Sequence, residues 1–135
     1  MKFEKKHIAA KVENLADANA FVESCADRFR LAEAKKFNVL LALEEAFVNI
    51  CHYAYPGKNG QVEIACGNDG VTFVLEIADS GSPFDVLSLP VPDITLDLMD
   101  RPIGGLGIHF IRTLTTSVGY RRENDQNILR MAFES

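Results

Sequence analysis

The sequence is short of basic residues, of cysteine and of long apolar runs, and each shortage excludes a class of protein. Lysine and arginine total 14 against 19 aspartates and glutamates, which gives a net charge of -5. No broad basic surface is therefore predicted that could neutralise a nucleic-acid backbone. No segment approaches the roughly 20 apolar residues of a membrane span, and the first residues contain no apolar stretch of signal-peptide length. These absences predict a cytoplasmic protein that binds neither nucleic acid nor a membrane.

The three cysteines, Cys25, Cys51 and Cys66, are odd in number and have no CxxC spacing. This pattern favours reduced thiols over a disulfide framework or a zinc site. The 135 residues, 47% of them hydrophobic, suffice for one globular domain with its own core. We therefore expect residues 1–135 to form a single domain.

Three segments are predicted to form helices. Apolar residues recur every three or four positions over about 14–29 and again over about 34–54, which predicts two amphipathic helices. A third helix is expected from about 105 to 114, after a cluster of glycines. The first of these helices should bury one face.

The remaining segments favour antiparallel strands. A first strand is expected over 3–12. The β-rich runs at 61–66 and 71–79 surround the turn GNDG, and those at 117–122 and 127–133 surround ENDQ, so each pair predicts a hairpin. The order of elements predicts an α+β fold: a two-layer α/β sandwich with a mixed, mostly antiparallel sheet and helices on one face.

The helix at 34–54 carries the first candidate functional residues. At 100° per residue, Glu45 and Asn49 fall on the same shoulder of its apolar face, whereas Glu44 lies roughly 140° away from Asn49. A pair of polar residues four positions apart is also common on solvated helices. The meaning of this pair therefore depends on what else lines the same groove.

The segment DSGSPFD, residues 79–85, follows a predicted buried strand. A carboxylate that leaves such a strand, Asp79, can accept a hydrogen bond from a ligand amino group. Gly81 has no Cβ and lets a flat ring approach the backbone. This pair could hold adenine, although the same residue types also form plain turns.

Three glycines, Gly104, Gly105 and Gly107, stand within four positions at the start of the third predicted helix. Backbone N–H groups at a helix N-terminus can bind phosphate. The segment RPIGGLGIHFI is not a P-loop, because GxxxxGK[ST] is absent, and Phe110 stands where a Rossmann loop has its last glycine. A purely structural glycine loop is the alternative.

In this order, the three segments resemble the GHKL, or Bergerat-fold, ATP-binding superfamily. EEAFVN, residues 44–49, is similar to its N-box, DSGSPFD to its G1 box and RPIGGLGIHFI to its G2 box. The DxGxPFD pattern and the chain length resemble the small bacterial anti-sigma-factor serine kinases in particular, along nearly the whole chain. The resemblance implies a histidine kinase-like ATPase fold that binds ATP and Mg²⁺.

The resemblance also implies a role for each matching position. Asn49 would ligate Mg²⁺ through its amide oxygen, a hard donor, and Glu45 would act as general base on a hydroxyl or a water. Asp79 would accept a hydrogen bond from the adenine amino group beside Gly81. Residues 84–104 would form the ATP lid. The phosphates would be held by the residues that end and follow the lid: Arg101, Gly104, Gly105, Leu106 and Gly107.

One position departs from the pattern of related kinases. Where those kinases often have a histidine four residues after the N-box asparagine, this chain has Tyr53, preceded by His52. On the helical wheel Tyr53 faces the core and His52 lies near Glu45. His52 either tunes that site or is a surface residue.

The resemblance implies a protein serine/threonine kinase that phosphorylates a STAS-domain antagonist and so regulates a sigma factor. The alternative is a nucleotide-switched binding module, in which ATP or ADP selects the protein partner with little phosphoryl transfer. An unrelated α+β domain with coincidental boxes is a third class, and it would bind no adenine nucleotide. Related kinases often act as homodimers, but no segment of this sequence marks a dimer face.

Overall fold

The computed structural model describes residues 1–55, 57–88 and 111–134. Within these ranges the chain forms five strands and two long helices. In chain order they are β1 Phe3–Ala9, α1 Leu15–Arg28, α2 Glu33–Tyr53, β2 Gln61–Asn68, β3 Thr72–Asp79, β4 Ser117–Glu123 and β5 Gln126–Glu134. Single turns of 3-10 helix lie at Val12–Asn14 and Val86–Ser88, and residues 111–114 form a helical turn.

The strands form one sheet in the order β1-β2-β3-β5-β4, and neighbouring strands run antiparallel. Alternate residues of a strand point to opposite faces of a sheet. The inner row of β3, Phe73, Leu75 and Ile77, is buried in one core with α1 and α2 side chains such as Val22 and Phe47. The predicted α+β fold with helices on one face of the sheet is confirmed.

The first strand is shorter than predicted, because it ends at Ala9 rather than at residue 12. Asn14 Nδ2 donates to the Ala9 carbonyl at 3.1 Å, and the chain between them turns into the 3-10 helix. Asn14 still precedes α1, but its side chain does not cap that helix. Asn14 therefore marks the start of the helix, as predicted, but its side chain bonds to the end of β1 and not to the helix.

The last hairpin turns at Asn124 and Asp125, which have positive φ values of 53° and 61°. Two such residues in succession give the tight turn whose twist matches that of the flanking strands. This turn returns β5 beside β4 and brings Asn127 opposite Asp79 of β3. The hairpin thus places Asn127 at the end of the sheet where β3 stops.

The end of β3 is fastened to the end of α2. The Tyr55 hydroxyl donates to the Gln61 carbonyl and accepts from the Ser80 N–H, both at 2.7 Å. The Ser82 N–H donates to the Ala54 carbonyl at 3.3 Å. These bonds hold the segment that follows β3 against the last turn of α2.

Gly81 lies where this contact is closest. A Cβ atom at residue 81 would stand 2.2 Å from the Ala54 carbonyl oxygen and 2.7 Å from its carbon. Both are backbone atoms, which cannot move aside as a flexible side chain would. The approach of α2 therefore requires glycine at this position.

We expect Gly81→Ala to lower the free energy of unfolding by about 1 to 3 kcal/mol, because the new methyl group pushes α2 away from β3. The matched control is Gly119→Ala in β4, where a Cβ meets nothing within 4 Å. Thermal unfolding followed by circular dichroism should show a lower Tm for Gly81→Ala and a Tm close to wild type for Gly119→Ala. Equal Tm values would contradict the close approach.

Candidate functional site

A pocket opens between the C-terminal half of α2 and the end of the sheet where β3 stops. Its apolar lining comes from α2, β3, β5 and the helical turn at 111–114. Five side chains with polar groups, those of Asn49, Tyr53, Asp79, Tyr120 and Asn127, line the same space. The apolar residues of the lining include Ala46, Ile50, Ile77, Ile111 and Leu129. An apolar cleft with a few converging polar groups is the usual form of a small-molecule site.

Asp79 lies at the base of this pocket because it continues the inner row of β3, two residues after Ile77. The residue is only 5% exposed, and a buried carboxylate is costly unless it is hydrogen-bonded. Its Oδ1 accepts from the Gly81 N–H at 2.9 Å and from Asn127 Nδ2 at 3.0 Å. Within the described ranges no group donates to Oδ2. One oxygen of the carboxylate is thus left to accept a hydrogen bond from a ligand.

The α2 helix contributes Asn49 to the pocket. Its Nδ2 atom is buried and has no hydrogen-bond partner among the described residues. Buried polar atoms are nearly always paired in folded proteins, so this amide has the unused capacity typical of a ligand-binding group.

Glu45 lies one helical turn before Asn49, outside the lining of the pocket. It is half-buried, whereas the adjacent Glu44 is exposed, in the order that the helical wheel predicts. Burial raises the pKa of the Glu45 carboxyl, and the negative charge of Glu44 raises it further. A carboxylate with a raised pKa is a better proton acceptor than an ordinary glutamate.

Tyr53 lines the pocket, and its ring lies 6.1 Å from that of Phe84, centroid to centroid. The exposed ring of His52 packs edge-on against Tyr53 at 6.2 Å. Tyr53 and Phe84 therefore bring aromatic rings to the pocket from the end of α2 and from the start of the predicted lid.

The structure brings Asn49 and Asp79 to one pocket and places Gly81 beside it. The missing Cβ of Gly81 is already required by the approach of Ala54, which the sequence interpretation did not foresee. Five predicted phosphate-binding residues lie outside the described residues, as do the lid residues beyond Ser88. These five are Arg101, Gly104, Gly105, Leu106 and Gly107.

Sequence reasoning missed Asn127, which contacts Asp79 directly. In the predicted strand 127–133, Asn127 has the same parity as Leu129, Met131 and Phe133, whose side chains fill the core. A polar residue in an otherwise apolar inner row was the signal that could have identified it.

Arg122 of β4 also escaped notice in the sequence. Its Nη1 donates to the Gly81 carbonyl at 2.8 Å. The segment after β3 is therefore held from the β4 side as well as from α2.

Two kinds of feature, metal-binding clusters and membrane-spanning helices, are absent from the described part of the chain. No three histidine, cysteine, aspartate or glutamate side chains there are grouped so as to hold a metal ion. No helix there is long and apolar enough to cross a membrane.

Comparison with known proteins shows the family to which the chain belongs. The serine-protein kinase RsbW of Bacillus mycoides is 28% identical over 134 residues, which cover 95% of this chain and 84% of that protein. The serine/threonine-protein kinase BtrW of Bordetella bronchiseptica is 28% identical over 120 residues, which cover 88% of this chain and 84% of that protein. A family model described as a histidine kinase-like ATPase domain matches residues 8–133. Because that match takes in the pocket and all three sequence boxes, the chain belongs to the histidine kinase-like ATPase family.

Proposed function

We propose that this protein is a cytoplasmic, Mg²⁺-dependent protein serine/threonine kinase of the anti-sigma-factor type. It transfers the γ-phosphoryl group of ATP to a STAS-like antagonist and thereby controls the availability of a sigma factor. The two relatives described above are named as serine or serine/threonine kinases, which supports this reaction class.

The observation that carries the proposal is the buried Asp79 carboxylate in an apolar pocket, one oxygen of which has no donor among the described residues. An ionised carboxylate accepts hydrogen bonds and donates none, so it suits the exocyclic amino group of adenine. The aliphatic side chains around it, among them Ile50 and Ile77, suit the faces of a flat ring. We assign this end of the pocket to adenine.

Asn49 fits the role of magnesium ligand. Its side-chain amide lines the same pocket as Asp79, and its Nδ2 has no partner in the described ranges. Mg²⁺ prefers oxygen ligands and is usually held by one or two protein groups together with phosphate oxygens. Bound there, the ion would neutralise charge on the phosphates, and Asn49 Oδ1 is the protein atom that would hold it.

Glu45 is assigned the proton transfer. The serine hydroxyl of the substrate attacks the γ-phosphorus, its proton passes to the Glu45 carboxylate, and the bond from the γ-phosphorus to the bridging oxygen breaks to release ADP. Glu45 is half-buried on α2 one turn from Asn49. The base, Glu45, and the metal ligand, Asn49, are therefore assigned to successive turns of one helix.

The direct test combines calorimetry with phosphoryl transfer. Purified protein is titrated with ATP and ADP, with and without Mg²⁺, and is then incubated with radiolabelled ATP and STAS-domain proteins from the same genome. Mg²⁺-dependent binding and label on a partner serine or threonine are expected. Binding without transfer would instead identify a nucleotide-switched binding module. No binding would overturn the ATP site altogether.

Asp79→Asn should weaken ATP binding by about 1.5 to 3 kcal/mol, because the variant loses a charge-assisted acceptor. Its Oδ1 position can still accept from the Gly81 N–H, so the new NH₂ group would meet the adenine amino group, donor against donor. Calorimetric Kd values provide the measurement. The control is Asp125→Asn, which removes the same charge from an exposed turn residue with positive φ that asparagine tolerates. Equal ATP affinity in both variants would refute the adenine assignment.

Glu45→Gln should bind ATP almost as wild type does and lose phosphoryl transfer by roughly 10² to 10⁴-fold, the usual contribution of a general base. The substitution keeps the shape of the side chain and removes its ability to take a proton. Glu44→Gln is the matched control, since Glu44 is exposed on the same helix. If both variants keep wild-type turnover in a single-turnover assay, Glu45 is not the base.

The pH profile of transfer provides a separate check on Glu45. The base must be ionised, so activity should fall as the pH drops through the raised pKa of Glu45. Removing the neighbouring charge in Glu44→Gln lowers that pKa, because Glu44 is one of the causes that raise it. The acidic limb of this variant should therefore move to lower pH, with unchanged turnover on the alkaline side. A limb that stays in place or moves upward would contradict the assignment.

A further inference from the structure

Asn127 makes more hydrogen bonds than its position at the start of β5 would suggest. The residue is 6% exposed, and its Nδ2 donates to Asp79 Oδ1 at 3.0 Å and to the Ser82 carbonyl at 2.9 Å. Its Oδ1 accepts from the Phe84 N–H at 3.1 Å and from the Tyr120 hydroxyl at 2.6 Å. An asparagine amide offers two N–H groups and two lone pairs, so all four are in use.

The orientation of this amide is dictated by the main chain. The Ser82 carbonyl can only accept a hydrogen bond, so the Asn127 nitrogen must face it. The Phe84 N–H can only donate, so the oxygen must face that side. A reversed amide would turn its oxygen toward the Ser82 carbonyl, acceptor against acceptor. Its nitrogen would then face the Phe84 N–H, donor against donor. Asn127 therefore presents an N–H group, and not an oxygen, to Asp79.

This orientation determines which atom of Asp79 faces a ligand. Oδ1 already accepts from the Gly81 N–H and from Asn127, which fixes the carboxylate plane from two directions. Oδ2 is the oxygen that remains, and no group in the described part of the chain donates to it. The pocket therefore offers a fixed acceptor at this point.

We propose that Asn127 is a positioning residue that makes the pocket selective for a base carrying an amino group. By holding Oδ1, it sets Oδ2 as an acceptor that matches the amino group of adenine and opposes the carbonyl oxygen of hypoxanthine at the same place. Asn127 does not contact the base itself, because its own amide is fully used. The proposal rests on the proposed function, since it takes Asp79 as the contact to adenine.

Asn127→Asp tests the proposal with almost no change in side-chain shape. The new carboxyl oxygen would face Asp79 Oδ1, at the 3.0 Å now spanned by a hydrogen bond. Two carboxyl groups at that distance are not both ionised, so the pair takes up one proton. Asp79 has then lost the N–H group that held Oδ1, and when the proton lies on its Oδ2 that oxygen becomes a donor that a carbonyl-bearing base can use. The ratio of ITP to ATP dissociation constants, measured by calorimetry with Mg²⁺, is the readout.

Wild type should bind ATP at least about tenfold more tightly than ITP, and Asn127→Asp should reduce that ratio at least about fivefold. A merely structural role would weaken both nucleotides alike and leave the ratio unchanged. Val22→Ala provides the matched control, because Val22 is fully buried on α1 and lies outside the pocket lining. This variant should lower the Tm and keep the wild-type ratio.

The outcomes distinguish a failure of the inference about Asn127 from a failure of the proposed function. If Asn127→Asp keeps the wild-type ratio, the role of Asn127 is refuted and the proposed function stands. If wild type binds ATP and ITP equally, the inference falls while nucleotide binding stands. If wild type binds neither, the proposed function is overturned together with the inference.

A second variant covers a failure to fold. Should Asn127→Asp show no cooperative thermal transition, Tyr120→Phe decides, because it removes one of the two donors that orient the Asn127 amide. A ratio reduced at least about twofold would support the positioning role. An unchanged ratio would overturn it.

Discussion

The buried carboxylate of Asp79 is the constraint on which the rest of the site depends. A carboxylate removed from water is strongly destabilising unless N–H groups replace the lost hydration. The Gly81 N–H can reach Oδ1 only if the chain turns sharply as soon as β3 ends. That turn carries residue 81 against Ala54 at the end of α2, where only glycine fits. The buried carboxylate, the turn that brings an N–H group to it and the glycine that fits against α2 thus lie together where helix and sheet meet.

The second donor to Asp79, Asn127, connects β5 and β4 to the same end of the sheet. Asn127 lies opposite Asp79 in the sheet, and Tyr120 of β4 is bonded to its amide. Arg122, on the same strand, holds the Gly81 carbonyl. Side chains from three neighbouring strands therefore converge where α2 stops covering the inner face. The apolar rows continue up to this point and end there in polar groups, which is why a pocket forms at this end of the sheet.

Much of this arrangement was predictable from local patterns. Helical periodicity placed α1 and α2, and alternating runs around GNDG and ENDQ placed the four strands β2 to β5. Asp79 and Asn49 stood out because polar residues interrupt apolar patterns at positions that match a known family. Asn127 interrupts the inner row of β5 in the same manner, but it belongs to no short motif, and only strand parity could have marked it.

Other features depend on tertiary contacts that no local pattern contains. The need for glycine at 81 comes from a carbonyl 27 residues earlier in the chain. β1 ends at Ala9, whose carbonyl accepts a hydrogen bond from Asn14, a side chain that does not cap α1. That Asn49 Nδ2 has no partner in the described part of the chain is evident only once the helices and the sheet are packed together. Sequence indicates which residue types are available, and packing decides which of their polar atoms are used.

The neighbouring glutamates of α2 show how packing separates identical side chains. Glu44 and Glu45 differ by 100° around the helix axis, and this rotation places one in solvent and the other on the shoulder of the core. Burial disfavours the ionised form of Glu45, and the nearby charge of Glu44 acts in the same direction. A fully buried glutamate could not reach a protein substrate, and a fully exposed one would keep an ordinary pKa. The shoulder of an amphipathic helix avoids both limits, and the next turn of the same shoulder carries Asn49 into the pocket.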